Sequence, residues 1–195
     1  VQYLEKNLTE FDNLVHLAKS CSLCDNALPH PTRPILSVAK NTKILIISQA
    51  PGLTAHNNYV PFIDPSGNRL RAWLGVDKDT FYKPELFSIM PMGFCFPGYR
   101  NGADAPPMKI CAPTWHKPLL QHVKPILTLL IGRYAQQYYL KQYKTLTEAI
   151  KTPHDGYFVL PHPSGRNNRW LAKNPWFEKE TVPALQKKVT ALIKR

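Results

Sequence analysis

Four short apolar runs constrain this chain more than any other feature: 43–48 (KILIIS), 86–90 (LFSIM), 126–131 (ILTLLI) and 157–160 (YFVL). Each has the length of one strand. None alternates regularly between polar and apolar, which is the pattern of strands covered on both faces. Parallel neighbours need a crossover of about a dozen residues or more, and the segments between these runs are long enough to hold helices. The runs predict an α/β chain, a three-layer α/β/α sandwich around a central parallel sheet of about four strands.

Helices are predicted near 69–74, 113–122 and 134–140, with a last one around 179–193. A further amphipathic helix is expected over 3–20, where Leu4, Leu8, Phe11, Val15 and Ala18 recur at steps of three and four, ending near Cys21. Three prolines within 28–34 block regular hydrogen bonding and predict an extended loop before the first strand. Open parallel sheets bind ligands beyond the carboxyl ends of their strands, so the loops starting at Gln49, Pro91 and Pro161 are expected on one edge. The 195 residues suit a single domain spanning 1–195, and the nineteen prolines predict long ordered loops.

Lysine and arginine number 25 against 13 acidic residues, a formal charge of +12. This excess favours a polyanionic partner, because each neutralised phosphate releases counterions, and nucleic acid is the leading candidate. No stretch approaches the roughly 20 apolar residues that span a bilayer. The start, VQYLEKNLTEFDNLV, carries acidic residues where a secretory signal needs a basic and then an apolar run. A cytoplasmic protein with no membrane partner is expected, and there thiols stay reduced rather than pairing as disulfides.

The cysteines stand as a C-x2-C pair, Cys21 and Cys24, and a distant C-x15-C pair, Cys95 and Cys111. Four thiolates suit tetrahedral zinc or an iron–sulfur cluster, and residue type alone does not separate the two.

Three loops carry short motifs that stand out. After the first run comes SQAPG at 48–52, ten residues further on Pro61 and Phe62, and after the last run LPHPSG at 160–165, continuing as RNNRW.

Taken in order, the SQAPG loop, the Pro-Phe pair, the cysteine spacing and His-Pro-Ser resemble the uracil-DNA glycosylase superfamily, closest to its family-four iron–sulfur enzymes. The resemblance implies a four-iron, four-sulfur cluster on Cys21, Cys24, Cys95 and Cys111, with zinc as the alternative. It implies a base pocket formed by Gln49, Ala50, Gly52, Phe62 and Ser164, in which the flat Phe62 ring stacks on a flipped base and the neutral His162 imidazole donates to the oxygen of the departing pyrimidine as the sugar becomes cationic. It also implies that Arg166, Asn167 and Arg169 enter the duplex gap or grip phosphate, and that a monomer binds single- or double-stranded DNA.

The pattern departs from the family at two places. Family-four enzymes carry acidic residues soon after Ala-Pro-Gly, whereas this chain reads LTAHNN at 53–58, which leaves His56 or Asp64 to handle water. The uracil-reading asparagine expected before the third cysteine is missing from SIMPMGFC at 88–95, so backbone amides of that loop or the Gln49 side chain are the candidate replacements. The expected function is excision of uracil or a related damaged base from DNA. The alternatives are a non-catalytic or covalently trapping binder of DNA, an RNA-directed module, and, weakest, a zinc hydrolase.

Overall fold

A computed structural model describes residues 8–194; Leu4 of the expected first helix lies outside them. Helix α1 spans Glu10–Lys19. The Thr9 hydroxyl accepts the Asp12 N–H at 3.2 Å while the Asp12 carboxylate accepts the Thr9 N–H at 3.0 Å. This reciprocal cap satisfies the first free donors and starts α1 at Glu10. Leu8, expected in the buried stripe, is 65% exposed ahead of that cap, whereas Phe11 and Ala18 are buried.

Strand β1 (Ile44–Ile47) is followed by α2 (Leu53–Asn58), α3 (Pro65–Leu74) and α4 (Lys78–Phe81). Then come β2 (Phe87–Ile89), a small antiparallel hairpin of β3 (Tyr99–Arg100) and β4 (Ala103–Asp104), and α5 (Cys111–His122). Strand β5 (Leu127–Ile131) leads into α6 (Gly132–Tyr139) and α7 (Leu146–Lys151). Strand β6 (Tyr157–Leu160) leads to α8 (Asn168–Lys173) and α9 (Val182–Ile193).

The main sheet has the order β2-β1-β5-β6, and every neighbouring pair is parallel. Successive side chains of β1 face opposite ways, as the twofold period of a strand requires. Ile44 and Ile46 join Leu70 and Trp73 of α3 and Leu185 of α9, while Leu45 and Ile47 join Phe11 of α1, Leu119 of α5, Ala135 of α6 and Ala149 of α7. Helices therefore cover both faces, which is the predicted sandwich.

Helix α3 starts a turn earlier than predicted because Asp64 caps it, its carboxylate accepting the Gly67 N–H at 3.0 Å, and Pro65 opens it. The predicted last helix divides at a π-helical turn, Phe177–Thr181, ahead of α9. From β1 the chain passes to β2 on one side, then crosses to β5 on the other, so the strand order reverses between β1 and β5. Beyond the carboxyl ends of these two strands lies the crevice where such sheets take ligands.

Candidate active site

That crevice is a cavity of ≈ 560 Å³. Small-molecule sites commonly hold about 300–1,000 Å³. Gln49, Ala50 and Gly52 line it from the loop after β1, Phe62 and Asp64 from the stretch before α3, and His162, Ser164, Arg166 and Asn167 from the loop after β6. Phe62 and His162, a hundred residues apart in the chain, thus share one hollow. His56 is not on its wall. The His56 ring is buried against His30 and Phe96, at 5.5 and 5.9 Å between centroids, with its Nδ1 unpartnered. Burial, then Arg33 and His30, hold its proton affinity below that of an ordinary histidine. Arg169 is exposed and also stands off the wall.

Phe62 is held in an unusual backbone conformation. Its φ of 55° lies in the left-handed region, which costs a non-glycine residue about 1–3 kcal/mol unless its surroundings impose it. Here they do. The Arg71 guanidinium donates to the Phe62 carbonyl at 3.0 Å, and the Tyr82 hydroxyl donates to the Pro61 carbonyl at 2.8 Å. Gly67 lets the turn come close, since a Cβ there would lie 1.7 Å from the Phe62 carbonyl oxygen. Edge-on contact with Phe81, at 6.1 Å between centroids, braces the ring from the core side.

His162 is set for donation. The Ser164 N–H donates to its Nδ1 at 3.3 Å, which assigns the proton of the neutral ring to Nε2. Burial disfavours the imidazolium and lowers the pKa, against a smaller opposing pull from Asp64. Gly132, at φ 82°, packs beside this residue: a Cβ there would touch the His162 Cβ at 3.4 Å. Glycine suits the position because that φ strains an L side chain.

The loop after β6 is fastened from two sides. Arg69 of α3 donates to the Ser164 carbonyl at 3.2 Å and to Asn168 Oδ1 at 2.8 Å, and Asn167 donates to the His162 carbonyl at 2.7 Å. Across the cavity mouth, the Arg166 guanidinium donates to the Gly102 carbonyl at the tip of the β3–β4 hairpin. That hairpin places Asp104 on the cavity wall, facing Gly52. Sequence reasoning missed Asp104, because a two-residue strand in a polar stretch leaves no periodic signal. Partial desolvation raises its pKa, Arg166 pulls the other way, and Asp64 adds to the rise.

The amides offered as base readers are otherwise engaged. The N–H groups of Met90, Met92 and Gly93 donate to the carbonyls of Ile46, Ser48 and Gln49 at 2.9, 2.8 and 3.0 Å, and the Met90 and Met92 side chains are buried in the core. Of the two candidates only the Gln49 side chain faces the cavity, with Nε2 donating to the Ala105 carbonyl at 3.3 Å.

All four cysteines, from segments before β1 and around the hairpin, line a second cavity with Phe94, Met108 and Trp115. The Phe94 N–H donates to Cys111 Sγ at 3.3 Å, and the indole N–H of Trp115 is buried without a partner. Burial is the main cause that pushes the Cys95 thiol up to about 11 and the Cys111 thiol up to about 12. Among the described residues, no three or more histidine, cysteine or acidic side chains converge closely enough to hold a single metal ion.

A family model described as the uracil DNA glycosylase superfamily matches residues 36–186. The chain belongs to that superfamily. The matched stretch contains every loop of the large cavity, together with Cys95 and Cys111, whereas Cys21 and Cys24 precede it. Members of the uracil DNA glycosylase superfamily act on DNA and in general hydrolyse N-glycosyl bonds. Among the described residues no helix is long and apolar enough to cross a membrane.

Proposed function

We propose that this chain is a DNA glycosylase that releases uracil, or a related damaged pyrimidine, from DNA. The observation that carries this reading is the meeting of Phe62 and His162 on the walls of one cavity at the sheet's switch point. A base swung out of the stack lies against the Phe62 ring, which replaces part of the stacking it has lost. Its edge meets the Gln49 side chain. As the bond to the sugar lengthens, negative charge gathers on the base oxygen, and the Nε2–H of neutral His162 donates to it. A neutral donor serves well here, since it stabilises developing charge without first giving up a proton. Lysines and arginines of the surface attract the phosphate backbone.

The reading extends to an iron–sulfur enzyme of the family-four kind. Cys21, Cys24, Cys95 and Cys111 would hold the cluster. What supports the fit is their convergence on one apolar cavity, with a backbone N–H already directed at Cys111 sulfur and the Trp115 N–H buried there in want of an acceptor. When bound, the group supplies iron–thiolate bonds that tie the segment after α1 to the base of the hairpin, and binding contributes directly to folding. Base release itself is carried by the cavity residues. A brown protein with iron and acid-labile sulfide is expected; a colourless one with stoichiometric zinc overturns this part.

The central test is release of free uracil from single- and double-stranded oligonucleotides by the wild-type protein and His162→Ala. Loss of one stabilising donor of this kind costs about 10²–10³-fold in turnover. Unchanged turnover in the variant removes His162 from the mechanism. Salt-sensitive DNA binding by wild type, without release of any base, establishes a binding protein instead.

A further inference from the structure

We propose that Asp104, carried over the cavity by the β3–β4 hairpin, is the catalytic residue that holds and activates the attacking water. This assignment rests on the glycosylase reading above and adds the group that reading lacks. The loop that follows SQAPG offers no carboxylate between residues 53 and 58, and His56 in it faces His30 and Phe96 rather than the cavity. Asp64 is on the wall, but one of its oxygens accepts the Gly67 N–H at 3.0 Å as the cap of α3.

Asp104 has the place and the freedom that those two lack. Its Oδ2 lies 3.7 Å from where a Cβ of residue 52 would be, an ordinary contact distance that puts the carboxylate directly beside Gly52. It comes from a separate element to the same spot beside the SQAPG loop. The Ala105 N–H closes the hairpin by donating to the Gly98 carbonyl at 2.8 Å, and two bonds hold it there: Gln49 donates to the Ala105 carbonyl, and Arg166 donates to the Gly102 carbonyl. Asp104 remains open to solvent on its outer side, which admits water.

The charges around Asp104 suit a base. Shielding by the cavity wall and the nearby Asp64 make the carboxylate hold a proton more readily than a free aspartate, while Arg166 keeps the charged form available. A base poised nearer neutrality accepts a proton more effectively at working pH.

The step balances as follows. The water oxygen bonds to the sugar carbon as that carbon's bond to the base nitrogen breaks, and the bonding pair leaves with the base. One water proton passes to the Asp104 carboxylate, and the hydroxyl stays on the sugar. The base departs as an anion beside His162 and takes up a proton from solvent, to which Asp104 returns its own.

Single-turnover release of uracil from an oligonucleotide by wild type, Asp104→Asn and Asp104→Ala, with DNA affinity measured alongside, tests the assignment. General bases contribute about 10²–10⁴-fold, so a loss of at least ~100-fold in rate is expected for both variants, with DNA binding retained. Added formate is expected to restore part of the rate of Asp104→Ala, which a merely structural role would not allow. Release by Asp104→Asn within about threefold of wild type overturns this assignment and leaves the glycosylase reading standing. Wild type that releases no base overturns both.

Discussion

The two cavities of this molecule are built on opposite plans. One is small, walled by apolar side chains and lined by four thiols from segments that precede the sheet or bracket the hairpin. The other is wide, lies open at the sheet edge and carries an aromatic ring, an imidazole, an amide and two carboxylates. The first suits a group that is bound once and kept; the second suits a ligand that must enter and leave. They share one piece of chain. Residues 91–111 supply Pro91, Ala103 and Asp104 to the open cavity and Gly93, Phe94, Cys95 and Cys111 to the closed one. With the proposed cluster bound, the small cavity would anchor the wide one, because Cys95 and Cys111 flank the stretch that presents Asp104.

Breaking the anchor should give the largest effect. Cys95→Ser is expected to lower iron content and to cost several kcal/mol of stability, since metal binding in such a site is folding free energy. Thermal unfolding would then shift by about 10 °C at this chain length. Base release should fall with it, as the hairpin loses its footing. A variant that loses iron yet melts and cleaves as wild type does would show the two cavities to be mechanically independent.

Gly67→Ala acts on the open cavity alone. A methyl group there meets the Phe62 carbonyl oxygen, so the turn must shift and with it the aromatic platform. Overpacking of this kind costs about 1–3 kcal/mol. Misplacement of a positioning group by an ångström costs about 10²-fold in rate. Full iron content with base release reduced at least about 10-fold is the expected pair of results. Release at the wild-type rate would mean that the placement of Phe62 does not matter.

The smallest effect concerns protonation and sharpens the comparison without altering the chain's packing. Burial lowers the pKa of His162, so the ring is expected to stay neutral at a pH where an exposed histidine is already half charged, about 6.5. Nitrogen-15 spectra of the side chain should show the proton on Nε2, as the Ser164 N–H on Nδ1 requires. A proton on Nδ1, or a ring charged at that pH, removes the neutral donor from the mechanism.

Much of the fold was legible because long apolar runs leave little freedom. Residues 43–48 and 126–131 contain β1 and β5 with a one- or two-residue margin. Leu8 misled because periodicity ignores the local competition in which Thr9 and Asp12 cap the helix one residue later. In the site, His162 stood out between prolines after a strand, whereas Phe62 was marked only by the resemblance of Pro61 and Phe62 to the superfamily's stacking pair. His56 carried the right chemistry in the right loop but faces the other way, and only a helix's rotation about its axis decides that. Asp104 gave no signal in a stretch with neither period nor motif.

From its residues alone this protein was determined to be a basic α/β chain with a parallel sheet, the loops that start at Gln49 and Pro161 on one edge and four thiols in two pairs. These properties are local: strand periodicity, crossover length, residue chemistry and charge are all carried by neighbours in sequence. Only the tertiary structure decided that the two cysteine pairs line one cavity, that His56 stands off the large cavity while Asp104 lines it, and that the backbone amides near Met92 are already bonded. Those outcomes depend on which distant surfaces pack together, and packing is settled by the burial of the whole core rather than by any one segment.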